Sequence, residues 1–432
     1  MPKRAHRSEH FEHIGERQVW GGYRPFGVSE ESRRQHLYCL GKSGTGKTTL
    51  LRNLILQDIE AGRGVGLIDV HGDLAHEMLD LIPPHRTDDV VYFRPGDADC
   101  PIGFNLFHNV PPEKRHIVAS NIVGAFKAIW RDSWGPRLEY LLNAAVASLL
   151  ECPDTTMLGL QRIFVDAPYR HWVLRHVRDP VLAAFWTTEF DSWSAALRHE
   201  IILPVQNKIG QLLLSPALRN VLGQVKRKID FRFMMDDRRI FIANLQKAEL
   251  GDDKAALIGS LIVAGMQHAA FSRSDMPEAS RVPFSLVVDE FQNFQTGNFA
   301  TILSEARKYG LSLVLSHQFA GQLDQPIADA VFGNVGSIIA FRLGFADAER
   351  LADELGESGL AAELAGLPNH SAYARLIEGG RMTEPFLART FPPRGERYGR
   401  RDNIIRRSRE KYGVQRRIVE GKLAKWFRST RR

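Results

Sequence analysis

Gly41-Lys42-Ser43-Gly44-Thr45-Gly46-Lys47-Thr48 is the stretch that decides how this chain folds. It fits the pattern G-x-x-x-x-G-K-[ST], which requires a strand before it and a helix after it. Both are present in the residue pattern. His36 to Leu40 is a short apolar run, and Thr48 to Ile59 carries Leu50, Leu51, Leu54 and Ile55 on one helical face. The glycines let backbone N–H groups converge on phosphate oxygens without Cβ clashes. The helix N-terminus adds partial positive charge. Lys47 supplies a mobile point charge for the β and γ phosphates, and the Thr48 hydroxyl is placed for Mg²⁺. Gly41 through Thr49 therefore form the expected cradle for the phosphates of Mg-ATP.

A phosphate loop needs an acid from elsewhere in the fold. Ser285-Leu286-Val287-Val288-Asp289-Glu290 is an apolar strand ending in two carboxylates. In an open α/β sheet, ligands sit at the carboxyl ends of strands. Asp289 is expected to hold Mg²⁺, and Glu290 to polarise the attacking water as general base. Gln318 ends the next apolar strand, where an amide can report the γ-phosphate. Asp69, His71 and Asp73 surround Gly72 after another strand. They suit the nucleotide edge or a simple turn and cap equally well. Arg307 precedes the Gln318 strand. By itself it reads equally as a dipole-favourable helix end and as an arginine finger.

Around these motifs, apolar strands alternate with helices, which argues for a parallel α/β sheet covered on both faces. Strands are predicted at 65–70, 89–93, 239–245, 284–288, 311–315 and 337–342, with a closing β pair at 372–377 and 385–390. Helices are predicted at 254–271, 298–307 and 347–355. Pro111-Pro112 breaks the pattern, and from 113 to 235 only helical spacing remains. The division expected is an N-terminal arm or hairpin (1–35), a first ATPase segment (36–110), an inserted all-α domain (111–235), a second ATPase segment (236–391) and a basic tail (392–432).

Hydrophobic residues make up 44% and charged residues 25%, so the composition is that of an ordinary globular chain. No apolar run reaches the roughly 18 residues of a membrane span; Ala255 to Phe271 is interrupted by Gln267 and His268. Lys3, Arg4 and Arg7 have no apolar stretch behind them, which excludes a secretory signal. Cys39, Cys100 and Cys152 are few and scattered, pointing to a reducing cytoplasm without disulfides or zinc. His6, His10 and His13 read as part of a solvated arm. The net charge of +7 is uneven: residues 391–432 carry +11, residues 1–35 carry +2, and the body carries −6. In the tail, Ile418, Val419, Leu423, Trp426 and Phe427 share a helical face beside Arg416, Lys422, Lys425 and Arg428. Such a helix suits an anionic membrane surface, DNA phosphates, or packing onto the rest of the protein.

Taken together, the motifs resemble the HerA/FtsK superfamily of hexameric DNA-pumping ATPases, and within it the TraD/TraG-like coupling proteins of type IV secretion and conjugation. The resemblance rests on His36–Ile55, Leu67–Leu79, Ile102–Phe107, Ser133–Ala145, Arg238–Ile262, Phe284–Phe294, Ser304–Gln318 and Phe332–Leu355. It implies a RecA-like motor domain in a hexameric ring. It implies that the insert is the part that meets DNA or relaxosome and secretion-channel partners. It also makes Arg307 a finger acting on a neighbouring subunit, with Arg342 as a weaker second candidate. A departure is the lack of N-terminal membrane helices, which suggests docking on a membrane partner, a soluble relative, or peripheral contact through the tail. The same chemistry serves a HerA-like helicase in DNA processing or defence and a protein-secretion ATPase. A non-hydrolysing DNA-binding adaptor fits poorly with intact Lys47, Asp289 and Glu290.

Overall fold

A computed structural model describes residues 11–429 apart from 298 and 358. His6, His10, the N-terminal Lys3, Arg4 and Arg7, and the expected helix start at Asn298 lie outside the described residues. The strands are β1 (Phe11–Val19), β2 (Gly22–Ser29), β3 (Leu37–Leu40), β4 (Gly64–Asp69), β5 (Val90–Phe93), β6 (Ile240–Asn244), β7 (Phe284–Val288), β8 (Leu311–His317), β9 (Ser337–Ala340), β10 (Ser371–Arg375), β11 (Ile377–Glu378), β12 (Arg381–Met382) and β13 (Phe386–Thr390).

Eleven strands form one sheet in the order β2-β1-β13-β10-β9-β3-β8-β7-β4-β6-β5. From β9 to β6 every pairing is parallel. Beyond β9 the pairing turns antiparallel through β10, β13, β1 and β2. The cause is legible in β3, β4, β6, β7, β8 and β9. Each is buried along its whole length, as a strand covered on both faces must be. The expected α/β class with a mainly parallel sheet is therefore the fold observed.

Of the two expected forms of the N-terminal segment, arm or hairpin, the described residues from 11 onward form the hairpin. β1 and β2 form a hairpin that extends the sheet at its antiparallel edge through β13. The His13 backbone exchanges two hydrogen bonds with the Gln57 side chain at 3.0 and 3.1 Å. Beneath the hairpin, Arg33 binds Asp58 at 2.8 Å and Glu12, and Arg63 binds the same two carboxylates. Two cations thus offset the charge of two nearly inaccessible acids, and the hairpin is tied to the helix that follows the phosphate loop.

Between 111 and 235 the described residues contain helices and no strand. The chain divides into two compact units: residues up to 92 with 232–244 and 269–404, and residues 93–231 with 245–268 and 405 onward. The tail that sequence reading set apart at 392–432 is divided: residues 392–404 belong to the first unit and those from 405 to the second. The helix Arg416–Arg428 and residues 405–412 of the helix Arg401–Tyr412 belong to that unit. Val419 and Leu423 are buried. Trp426 covers the Arg162 guanidinium at 4.4 Å, and its carbonyl accepts a hydrogen bond from Arg162 at 2.9 Å. Arg409 grips Asp97 through two bonds of 2.7 and 2.9 Å. Ile418 and Phe427 face solvent instead. The five apolar residues therefore do not form one exposed face, and the ones a bilayer would need most are already packed against protein.

Among the described helices, Asp252–Asp275 is long and apolar enough to cross a bilayer. Its most apolar window is 78% buried inside the protein, so it serves as a core helix.

Candidate nucleotide site

The parallel strands β3, β8, β7 and β4 are neighbours, so their carboxyl ends share one edge of the sheet. That edge carries the phosphate loop after β3, Gln318 after β8, Asp289 and Glu290 after β7, and Asp69 at the end of β4. Only β8 separates the loop strand from the acid strand, a gap of about 10 Å.

The loop is shaped by what surrounds it. A side chain at Gly41 would sit 2.6 Å from the Phe341 Cβ, and one at Gly46 would sit 3.0 Å from the Phe341 ring and 3.1 Å from His370 Nδ1. Gly46 also has φ 123°, which other residues rarely adopt. The Lys42 N–H donates to the Arg342 carbonyl at 2.9 Å, and the His370 N–H donates to the Thr45 carbonyl at 2.8 Å. The Thr45 hydroxyl closes the turn on the Lys42 carbonyl at 2.7 Å. Lys47 opens the helix Lys47–Glu60, and its ammonium donates to the Gly41 and Lys42 carbonyls. Lys42, Ser43, Gly44 and Thr48 are exposed, Thr49 is half-buried, and Lys47 is buried. The loop thus presents its backbone and the Thr48 hydroxyl outward, with the lysine charge held below.

Asp289 is 6% exposed, and its carboxyl is pushed up to about 6. Burial is the largest cause, followed by the negative charges of Asp69 and Glu290; Ser316 and Lys47 act the other way. Such a carboxylate is short of positive charge. Among the described residues there is no ready-made group of three His, Cys, Asp or Glu for a metal. One buried carboxylate beside a phosphate loop matches the way Mg²⁺ is held, with few protein ligands and the rest from phosphate and water.

Glu290 has a left-handed backbone, φ 50° and ψ 50°, uncommon for a residue with a side chain. The turn aims its carboxylate back along the sheet edge. Oε1 accepts from Gln318 Nε2 at 2.9 Å, and Oε2 accepts from Gln292 Nε2 at 2.6 Å. The structure thus brings together the acid and the glutamine that the sequence singled out. It adds Gln292, which sequence reasoning passed over; its only signal was an amide two positions beyond the acid.

Asp69 is a turn-and-cap residue that also lends charge to the site. Its two oxygens accept the His71 and Ala75 N–H groups, both at 2.9 Å, and it is among the charges that raise Asp289. His71 and Asp73 point to solvent.

Arg307 lies elsewhere. It is exposed in the 3-10 turn Ala306–Tyr309, ahead of the amino end of β8. The seven residues of β8 separate it from Gln318, a rise of about 23 Å. Arg342 is beside the loop of its own chain, with its guanidinium donating to the Leu367 carbonyl at 3.1 Å and Asn369 Oδ1 at 2.9 Å.

His36, at the amino end of the loop strand, staples this region. Nδ1 accepts the Leu313 N–H at 3.0 Å, and Nε2 donates to the Leu303 carbonyl at 2.9 Å. Burial, and to a lesser extent the charge of Arg307, lower its pKa to about 4. The unfolded imidazole takes up its proton near 6.5, so stability is full above that value and is lost as pH falls toward 4. Between pH 7 and pH 5 this one group should cost about 2 kcal/mol. Chemical denaturation at the two pH values should show that loss. His36→Asn, which tolerates the left-handed backbone but cannot titrate, should show a correspondingly smaller one.

Fold and site together are those of a RecA-like P-loop domain. The chain resembles the TraD/TraG-like coupling proteins in particular. Residues 283–366 match the family described as the TraM recognition site of TraD and TraG. The bacterial conjugative coupling protein TrwBdeltaN70, in its unbound form, superposes with a TM-score of 0.64 at 15% identity, covering 89% of this chain and 91% of that one. The plasmid coupling protein TrwB in complex with ADP and Mg²⁺ gives 0.61 at 16% identity, covering 90% and 96%. VirB4 of Thermoanaerobacter pseudethanolicus gives 0.52 at 15% identity, covering 90% and 97%. At these identities the likeness is one of fold. In sequence, the molybdenum import ATP-binding protein ModC 2 of Azotobacter vinelandii is 29% identical over 157 residues, 34% of this chain. The match spans 40% of that protein's length.

Proposed function

We propose that this protein is a DNA-translocating motor of a conjugative or type IV secretion system, driven by Mg-ATP hydrolysis in an oligomeric ring. The observation that carries the proposal is the shared sheet edge on which Lys47, Asp289, Glu290 and Gln318 meet. The loop N–H groups and Lys47 bind the β and γ phosphates. Thr48 and Asp289 would hold Mg²⁺, which would supply positive charge to offset that of the phosphates. Glu290 orients and deprotonates the attacking water, and Gln318 reports the γ-phosphate to Glu290 through the hydrogen bond they share. The likeness to coupling proteins supports the secretion setting, a hexamer of this chain, DNA as the cargo and relaxosome proteins as partners. The region matching the TraM recognition site is the surface we assign to such a partner. The motor works at the cytoplasmic face of the membrane.

Arg307 is assigned to the neighbouring subunit's site, because the length of β8 keeps it from its own. Arg342 is engaged beside its own loop and is the poorer finger.

The loop assignment is tested by calorimetric titration with Mg-ATP. Lys47→Ala removes a charge-assisted contact and should weaken binding about 10- to 100-fold. Unchanged affinity would sink the loop assignment.

A further inference from the structure

Gln292 makes the shorter of the two hydrogen bonds that hold the Glu290 carboxylate, 2.6 Å against 2.9 Å for Gln318. The two amides have different freedom. Gln318 follows the last residue of β8, and as the γ-phosphate sensor proposed above it must let go of one partner to meet another. Gln292 sits in the one-turn helix Phe291–Phe294, whose two phenylalanines are fully buried. Phe291 stacks on Phe299 at 5.6 Å and meets the His317 ring edge-on at 4.9 Å. The Gln292 carbonyl accepts the Gln295 amide at 3.0 Å, and the same amide reaches the Gln322 carbonyl at 2.8 Å. Gln295 Oε1 in turn accepts the Asp324 N–H at 2.9 Å. The mount of Gln292 is therefore bolted to the segment that follows Gln318.

The orientation of the Gln292 amide has one physical solution. Its Oε1 is buried without a hydrogen-bond partner among the described residues. Turning the amide over would bring that oxygen against the carboxylate, two acceptors face to face. The amide leaves its own oxygen unpaired and keeps its N–H on Glu290.

We infer that Gln292 is a positioning residue for the general base: it holds the Glu290 carboxylate in line while Gln318 turns to the γ-phosphate. This rests on the ATPase reading above. Glu290 carries an uncommon left-handed backbone, and among the described residues its carboxylate has no other hydrogen-bonded side-chain anchor once Gln318 leaves. Without Gln292, its carboxylate is free to swing at the moment it must take a proton. The division of labour follows: Gln318 carries the signal, and Gln292 carries the geometry.

The test is steady-state ATP hydrolysis by the full chain, with kcat and KM read separately. Gln292→Met keeps the volume and flexibility of the side chain and loses the donor. It should lower kcat about tenfold or more at unchanged KM, since a misplaced reacting group costs turnover rather than binding. Gln292→Lys returns an N–H donor at similar reach and should recover most of that kcat. A packing role predicts the reverse order, with Met tolerated and Lys not, and that order would overturn the inference. A second measurement removes any dependence on folding. In a Glu290→Gln background there is no carboxylate to hold, so adding Gln292→Met should cost little more in single-turnover hydrolysis. A full additional loss would overturn the inference as well. Parent protein that hydrolyses ATP and Gln292→Met that matches it would remove Gln292 alone and leave the ATPase reading standing. A parent as inactive as Glu290→Gln would remove both.

Discussion

Glu290→Gln should bind Mg-ATP about as tightly as the parent and turn it over about 10²- to 10⁴-fold more slowly. The substitution keeps the side chain's length and shape and removes its ability to take a proton. It also spoils the local hydrogen bonding. Glu290 now accepts two amide N–H groups, one on each oxygen. A glutamine can accept only at its carbonyl, so one of the two contacts becomes donor against donor. Calorimetry of binding beside hydrolysis separates the two effects. Lost affinity with turnover kept within about threefold of the parent would take the general-base role away from Glu290.

Arg307→Ala should lower turnover about 10³- to 10⁵-fold, the range that a finger contributes to phosphoryl transfer. The sharper measurement is complementation. A chain with Arg307→Ala keeps its own Glu290, and a chain with Glu290→Gln keeps its own Arg307. Mixed in one ring, each pair of neighbours assembles a complete site where the defective Arg307 chain binds the nucleotide and the other supplies the finger. Hydrolysis should reappear on mixing two inactive proteins. An arginine serving its own subunit predicts no recovery at any ratio. The position of Arg307 before the amino end of β8, with Gln318 at the far end, makes the first outcome the expected one.

The residues whose placement could be read from sequence are those fixed by backbone position. The loop glycines, Lys47, Asp289 and Glu290, and Gln318 all stand at strand ends. Parallel strands put such ends on one edge whatever the details of packing. The residues missed depend on side-chain geometry. Gln292 reads as one more polar residue after the acid pair, and only its rotamer places it on Glu290. The cluster of Glu12, Arg33, Asp58 and Arg63 draws on segments far apart in the chain, so the sequence left arm and hairpin both open and did not show that the hairpin joins the sheet edge. The tail shows a different limit. Helical spacing revealed an amphipathic segment, but periodicity does not say what the apolar side packs against. Arg162 and Tyr169 supply the answer for Trp426, and they lie some 260 residues away. At Asp69 the sequence allowed a cap or a nucleotide contact, and the hydrogen bonds to His71 and Ala75 show the cap.

The central claim is a motor whose hydrolysis is coupled to DNA. Its most direct test is ATP turnover by the purified chain without DNA, with single-stranded DNA and with double-stranded DNA, beside Glu290→Gln under the same conditions. Turnover should rise with DNA in the parent and stay about 10²- to 10⁴-fold lower in the variant under all three conditions, with the stronger activator naming the cargo. Nucleotide binding without turnover, with or without either DNA, would contradict it.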